Sequence, residues 1–218
     1  MKKFSTICIV LGCVLMVAGL LTYGYQKNQE RLANENIEQL MKDVEQKREE
    51  MLEAANSKGD GQSYDAASGQ AIIESEDSQQ DLGTIRYSDH RVLGILSFPS
   101  LGKEVPVLGE NMTDQMLNVA PCHYGGPQNP LEEGNIIIAG HNYRSHFGGL
   151  KRLKLGQIVV WNSLDGKGYN YEVAEVKEIA PDDFDYVEKN INTYTLTLFT
   201  CTDSGKMRWA VKLKKSIK

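Results

Sequence analysis

Positive charge is scarce in this chain. Its 218 residues carry 24 Lys and Arg against 29 Asp and Glu, a net charge of −5. A general nucleic-acid binder would be basic, so that class is set aside. Cysteine is scarce as well, with four in all. No CxxC or HxxxH spacing joins the Cys and His residues. A structural zinc site is therefore not expected, and neither is any other metal or cofactor. Glu110, Asp114, Glu132 and Glu133 show no calcium-loop spacing and read as solvated surface. Charge of either sign is missing from Phe4 to Tyr25. That run is long enough to cross a bilayer as a helix. A small-x-small cleavage site fits poorly there, which argues against a cleaved signal peptide. The run also continues well past Cys13, which argues against a lipoprotein anchor. Cys8 and Cys13 read as lipid-facing residues.

Lys2 and Lys3 precede the run. The positive-inside rule then places the N-terminus in the cytoplasm and all that follows Tyr25 outside, although Lys27 and Arg31 weaken the asymmetry. The expected division is a cytoplasmic N-terminus over 1–3, a transmembrane helix over 4–25, a charged stalk helix over 26–57, a flexible linker over 58–83 and a folded domain over 84–218. Ile37, Leu40, Met41, Val44, Met51 and Leu52 form a ragged helical stripe in the stalk. It suits a solvated helix or a weak coiled coil. Residues 58–83 are Gly, Ser, Asp, Gln and Glu, with too little to bury to offset ordering.

From Thr84 the pattern is one of short strands. Val92–Phe98 and Glu104–Leu108 flank a turn cluster. Thr113 can cap a short helix. Asn135–Gly140 is fully apolar and so central. Gln157–Trp161 and Tyr169–Val176 flank Asp165-Gly166, a hairpin signal. Tyr194–Cys201 alternates apolar and polar residues and ends on a thiol. Thr202–Lys206 is a turn cluster, and Met207–Val211 re-enters a strand. Many short strands at close spacing mean an all-β barrel or sandwich. Two strand ends bear Cys201 and His141, and Arg208 opens a third strand. Those side chains supply a nucleophile, a proton carrier and an oxyanion stabiliser.

Thr197-Leu198-Phe199-Thr200-Cys201 resembles the TLxTC motif of sortases, cell-wall transpeptidases of mainly Gram-positive bacteria. Ala139-Gly140-His141 is similar to their histidine motif, and Arg208 to their arginine. Gly94–Pro99 followed by Val105–Gly109 is similar to the family's early strand pair. The resemblance covers the last 135 or so residues, about one domain. It implies an eight-stranded sortase-type β-barrel with short helices. It implies catalytic roles for His141, Cys201 and Arg208, and substrate contacts for Thr200 and His123. The partners implied are a sorting-signal peptide of the LPxTG type and an amine, from a peptidoglycan cross-bridge or a pilin lysine. Asn142–Leu150 is similar to a class B stretch. The segment between Tyr169 and Thr195 is short for that class, which leaves class B and class D both open.

Two rival uses of these residues remain at this level. Cys122 and His123 are adjacent, and adjacent residues of an extended chain point to opposite sides. A Cys122–Cys201 disulfide would silence the nucleophile. The alternative function is a membrane-anchored peptide-binding β-barrel without turnover.

Overall fold

The computed structural model describes residues 2–57, 85–87, 90–110, 112–189 and 193–216. The linker expected over 58–83 lies outside them. A helix, α1, runs from Lys2 to Ser57. Among the described residues nine strands follow: β1 (Ile85–Tyr87), β2 (His90–Phe98), β3 (Lys103–Leu108), β4 (Cys122–Gly125), β5 (Ile136–Ala139), β6 (Ile158–Ser163), β7 (Gly168–Ile179), β8 (Leu196–Cys201) and β9 (Arg208–Lys215). Two short helices, α2 (Asp114–Leu117) and α3 (Phe184–Glu188), lie in the connections. Thr113 caps α2 as its sequence suggests, its hydroxyl accepting from the Met116 N–H at 3.2 Å.

The strands form one sheet in the order β1-β2-β3-β4-β5-β8-β9-β7-β6, and β6 pairs back onto β2. That last pairing closes eight strands, β2 to β9, into a barrel, with β1 as an added edge strand. Closure leaves no open edge among the eight. The seam depends on Gly94. A Cβ there would stand 2.7 Å from the Trp161 indole nitrogen and 2.8 Å from the Asn162 carbonyl oxygen. No side chain other than hydrogen fits that approach.

Strand alternation sorts the apolar residues into two sets. Ile136, Ile138, Leu196, Leu198, Val211 and Leu213 join the large central cluster with Trp161, Phe98 and Phe147. Ile137, Ala139, Phe199 and Ala210 point the other way, into a smaller cluster with Ile179 and Val187. This second face of β5, β8 and β9 is the one that carries the site.

Part of the stalk stripe packs on the barrel. Ile37, Leu40 and Val44 are buried and belong to the central cluster, with Met41 packed beside them. Asn36 adds a hydrogen bond from its side-chain amide to the Asn118 carbonyl at 3.2 Å. Burying an aliphatic side chain of this size stabilises by about 1.5–3 kcal/mol, so three of them hold α1 firmly against the barrel.

Candidate active site

The site grows out of strand register. β5 and β8 run parallel, with Ile137 beside Thr197 and Ala139 beside Phe199. The ladder extends one residue further, the Gly140 N–H donating to the Phe199 carbonyl at 3.1 Å. β8 and β9 are antiparallel, with Phe199 beside Ala210 and Cys201 beside Arg208. Ala139, Phe199 and Ala210 thus form a row across three strands. His141, Cys201 and Arg208 each lie two residues along from a member of that row. A step of two keeps the face within a strand, so Cys201 and Arg208 stand together as the next row, and His141 lies two residues past the end of β5 at the same end of the sheet. Neighbouring strands are about 4.8 Å apart, so positions 201 and 208, which face each other across one hairpin, share an end of the sheet with position 141 from a distant part of the chain.

Each of the three is half-buried. The Arg208 guanidinium reaches only the Met207 carbonyl, at 3.5 Å, and none of the ion pairs among the described residues includes it. It is free to meet a ligand. The His141 ring packs on Tyr143 with centroids 4.7 Å apart and stacks on His146 at 6.2 Å. Burial lowers the His141 pKa, and the Asp114 carboxylate opposes part of that fall. A lowered value favours the neutral imidazole, which can accept a proton. Gly140 makes this packing possible. A Cβ there would lie 2.7 Å from Phe147 and 3.1 Å from Pro121.

Two loops carry the site, and a polar strap joins them. The Asn142 side-chain amide donates to Asp203 at 2.8 Å, and Lys151 pairs with the same carboxylate. These contacts hold the Asp203 pKa below its ordinary value. Asn142 follows His141 and Asp203 lies two residues past Cys201, so the strap ties the loop after the imidazole to the loop after the thiol. Asn142 opens the stretch that is similar to class B sortases, whereas Asp203 carries no sequence signal of its own, because an Asp in a turn is ordinary turn chemistry.

The two expected substrate contacts lie elsewhere. Thr200 is buried, and alternation turns its side chain away from the Cys201 face. Its hydroxyl has no hydrogen-bond partner. Only its backbone can reach a peptide lying over Cys201. His123 sits on β4 opposite Ile138, two strands from β8 and about 10 Å short of His141 along the strand direction. Its Nε2 lies 3.0 Å from the Gly126 carbonyl and its Nδ1 lies 3.4 Å from the Gln128 amide. It braces a loop, at a distance from the thiol.

The second thiol is sealed. Cys122 is fully buried, and its Sγ lies 3.2 Å from the Ala120 carbonyl oxygen. Burial, with the Glu110 charge, pushes its pKa up to about 12. Cys122 and Cys201 are both free. No group of three or more Cys, His, Asp or Glu side chains among the described residues is placed to hold a metal ion.

Below the site row, the Tyr124 ring meets Phe199 edge-on at 5.2 Å and stacks on Phe184 at 6.2 Å. Tyr124 and Phe184 thus extend the apolar face of Phe199 as far as α3.

Comparison with known proteins agrees with this architecture. No curated protein sequence matches the chain. Among solved structures, sortase C of Streptococcus pneumoniae is 23% identical with a TM-score of 0.52, the match covering 58% of this chain and 67% of that one. Sortase C-1 of Actinomyces oris is 23% identical at a TM-score of 0.51, over 58% of this chain and 75% of that one. Sortase A of Corynebacterium diphtheriae is 22% identical at 0.52, and the match covers 59% of this chain and 62% of that one, less than two thirds of its length. At these identities the likeness is one of fold. The sortase domain model matches residues 96–216, more than half of the chain and all eight barrel strands in whole or in part. With the barrel and this match in hand, the chain belongs to the sortase family.

Proposed function

We propose that the protein is a membrane-anchored cysteine transpeptidase that cleaves a C-terminal sorting signal of the LPxTG type. The observation that supports this reading is the register that pairs Cys201 with Arg208 across β8 and β9 and runs β5, which leads into His141, beside β8. Neutral His141 takes the Cys201 proton. The thiolate attacks the peptide carbonyl, and Arg208 stabilises the oxyanion with fixed planar donors. The tetrahedral adduct collapses to a thioester, and imidazolium His141 gives its proton to the departing amine. An incoming amine then attacks the thioester carbonyl. His141 takes its proton, a new amide forms, and the thiolate leaves. The peptide's apolar side chains lie along Ala139, Phe199 and Tyr124. The amine comes from a peptidoglycan cross-bridge or a pilin lysine. The anchor is α1, which among the described residues has one stretch apolar and long enough to cross a membrane. Its N-terminus is on the cytoplasmic side and the barrel is outside.

The test is to incubate the full chain in detergent with a library of sorting-signal peptides and an amine, reading products by mass. Cleaved peptide joined to the amine supports the reading. Tight binding with no cleavage would instead make the barrel a peptide-holding module.

A further inference from the structure

We propose that a cationic cleft beside the His141 loop binds the phosphate headgroup of an anionic phospholipid and so seats the site mouth at the membrane surface. The cleft holds about 580 Å³, and its walls include Lys103, Arg144, Lys151, Arg152, Asp203 and Glu30 of α1. Its charge opposes that of the chain. Four cations face two carboxylates, while the whole protein carries −5. Asp203 is already engaged by Lys151 and Asn142. Neither Arg144 nor Arg152 takes part in any ion pair among the described residues. The Arg152 guanidinium lies over Gly149, where a Cβ would come within 2.8 Å of it, so no side chain there shields it. Lys103 lies deepest. Its ammonium donates to the carbonyls of Gly148 at 3.2 Å and Arg144 at 3.4 Å, and to that of His146. Burial and the nearby Arg152 charge push its pKa down to about 8. An anion held between Lys103 and the two arginines would relieve that repulsion, and a guanidinium fork matches phosphate oxygens.

Position on the helix selects the source of the phosphate. Glu30 lies five residues past Tyr25, where the uncharged run ends. At about 1.5 Å per residue that is about 8 Å along the axis. The polar layer on each side of a bilayer is about 5–7 Å thick. The cleft therefore stands at the outer edge of the headgroup layer when α1 crosses the membrane, within reach of a lipid phosphate. The packing of Ile37, Leu40 and Val44 holds it there. Tyr143 marks the same junction, since burial and then the charges of Tyr25 and Glu30 raise its pKa while its ring lies on His141. A zwitterionic lipid would bring its own cation to the cleft, so a headgroup of net negative charge is the ligand.

The proposal rests, like the proposed function, on α1 crossing a bilayer. The test uses the full chain in a neutral detergent, offered phosphatidylglycerol or phosphatidylcholine, with retained lipid counted by native mass spectrometry. The wild type should retain phosphatidylglycerol preferentially, by about fivefold for each guanidinium. R144Q should lose about one such factor, and R144Q/R152Q should lose the preference, both melting at the wild-type temperature because both side chains are exposed. Equal retention of the two lipids by the wild type, or a preference that survives the double substitution, would overturn the headgroup site and leave the anchor intact. Displacement of phosphatidylglycerol by equimolar inorganic phosphate would make this a free-anion site and overturn the lipid assignment. A chain that retains neither lipid would remove the anchor itself, and with it this proposal.

Discussion

The protein holds two thiol–imidazole pairs, and they have opposite fates. Cys122 and His123 are neighbours in the chain, yet alternation sends them to opposite sides of β4, and the thiol is sealed. Cys201 and His141 are far apart in sequence, yet parallel pairing of β5 and β8 carries them to the same end of adjacent strands, both half open to solvent. Proximity along the polymer is a poor guide to proximity in space, because a strand separates neighbours and a sheet unites strangers. Reactivity then follows exposure. A thiol at a strand mouth can ionise and be reached, whereas burial and a nearby carboxylate keep Cys122 protonated to about pH 12.

Exchange of the thiols should separate the pairs most sharply. C201A should lower turnover of a cleavable sorting-signal peptide roughly ten-thousandfold or more. C122A should leave turnover within about twofold and cost about 1 kcal/mol of stability in a urea melt, as a small cavity does. Comparable turnover in the two variants would erase the distinction. The imidazoles come next. H141A should lose about a hundredfold to ten-thousandfold in kcat/KM, the usual range for a proton carrier. H123A should lose little; a loss matching that of H141A would move the proton role to β4.

The strap between the two site loops predicts a smaller effect. N142A or D203N should reduce kcat about tenfold with KM little changed, because the imidazole and thiol remain but their mutual placement loosens. If KM rises and kcat holds, Asn142 and Asp203 contact substrate instead. The smallest effect concerns His146, which is buried behind His141. Neither of its ring nitrogens makes a well-aligned hydrogen bond, although the Val119 backbone lies close enough to favour a proton slightly. Burial, then the charges of His141 and Lys103, lower its pKa from 6.5 to about 3. The unfolded chain therefore binds a proton below pH 6.5 that the folded chain refuses. Stability from this group is full above pH 6.5 and is lost as pH falls toward about 3, at about 1.4 kcal/mol per pH unit. H146F should flatten that slope in urea melts; an unchanged slope would contradict the assignment.

The sheet elements near the site were legible in sequence, and their pairing was not. β5 reads as a central strand from Ile136, Ile137 and Ile138, and β8 from the alternation that ends on Cys201. Nothing local says that they pair in parallel, since that contact is made between strands and not within them. Thr200 can serve a substrate only through its backbone, and the sequence pattern already implies this. It adjoins Cys201, so the two-residue period already turns it to the other face. In α1 the stripe of Ile37, Leu40 and Val44 was visible as a face in search of a partner. That the partner is the barrel depends on groups far along the chain. The strap is similar: Asn142 stands out within the Asn142–Leu150 stretch, but its pairing with Asp203 is made only by the fold.

One experiment bears on the site more directly than the rest. The wild-type chain is mixed with a sorting-signal peptide, quenched in acid within the first turnovers, digested and mapped by mass. The acyl fragment should be found on the peptide that contains Cys201, removable by hydroxylamine as a thioester is, and it should be absent from H141A quenched at the same time. An acyl group on the Cys122 peptide, or turnover with no acyl adduct on any cysteine, would contradict the assembly of His141, Cys201 and Arg208 into one working row.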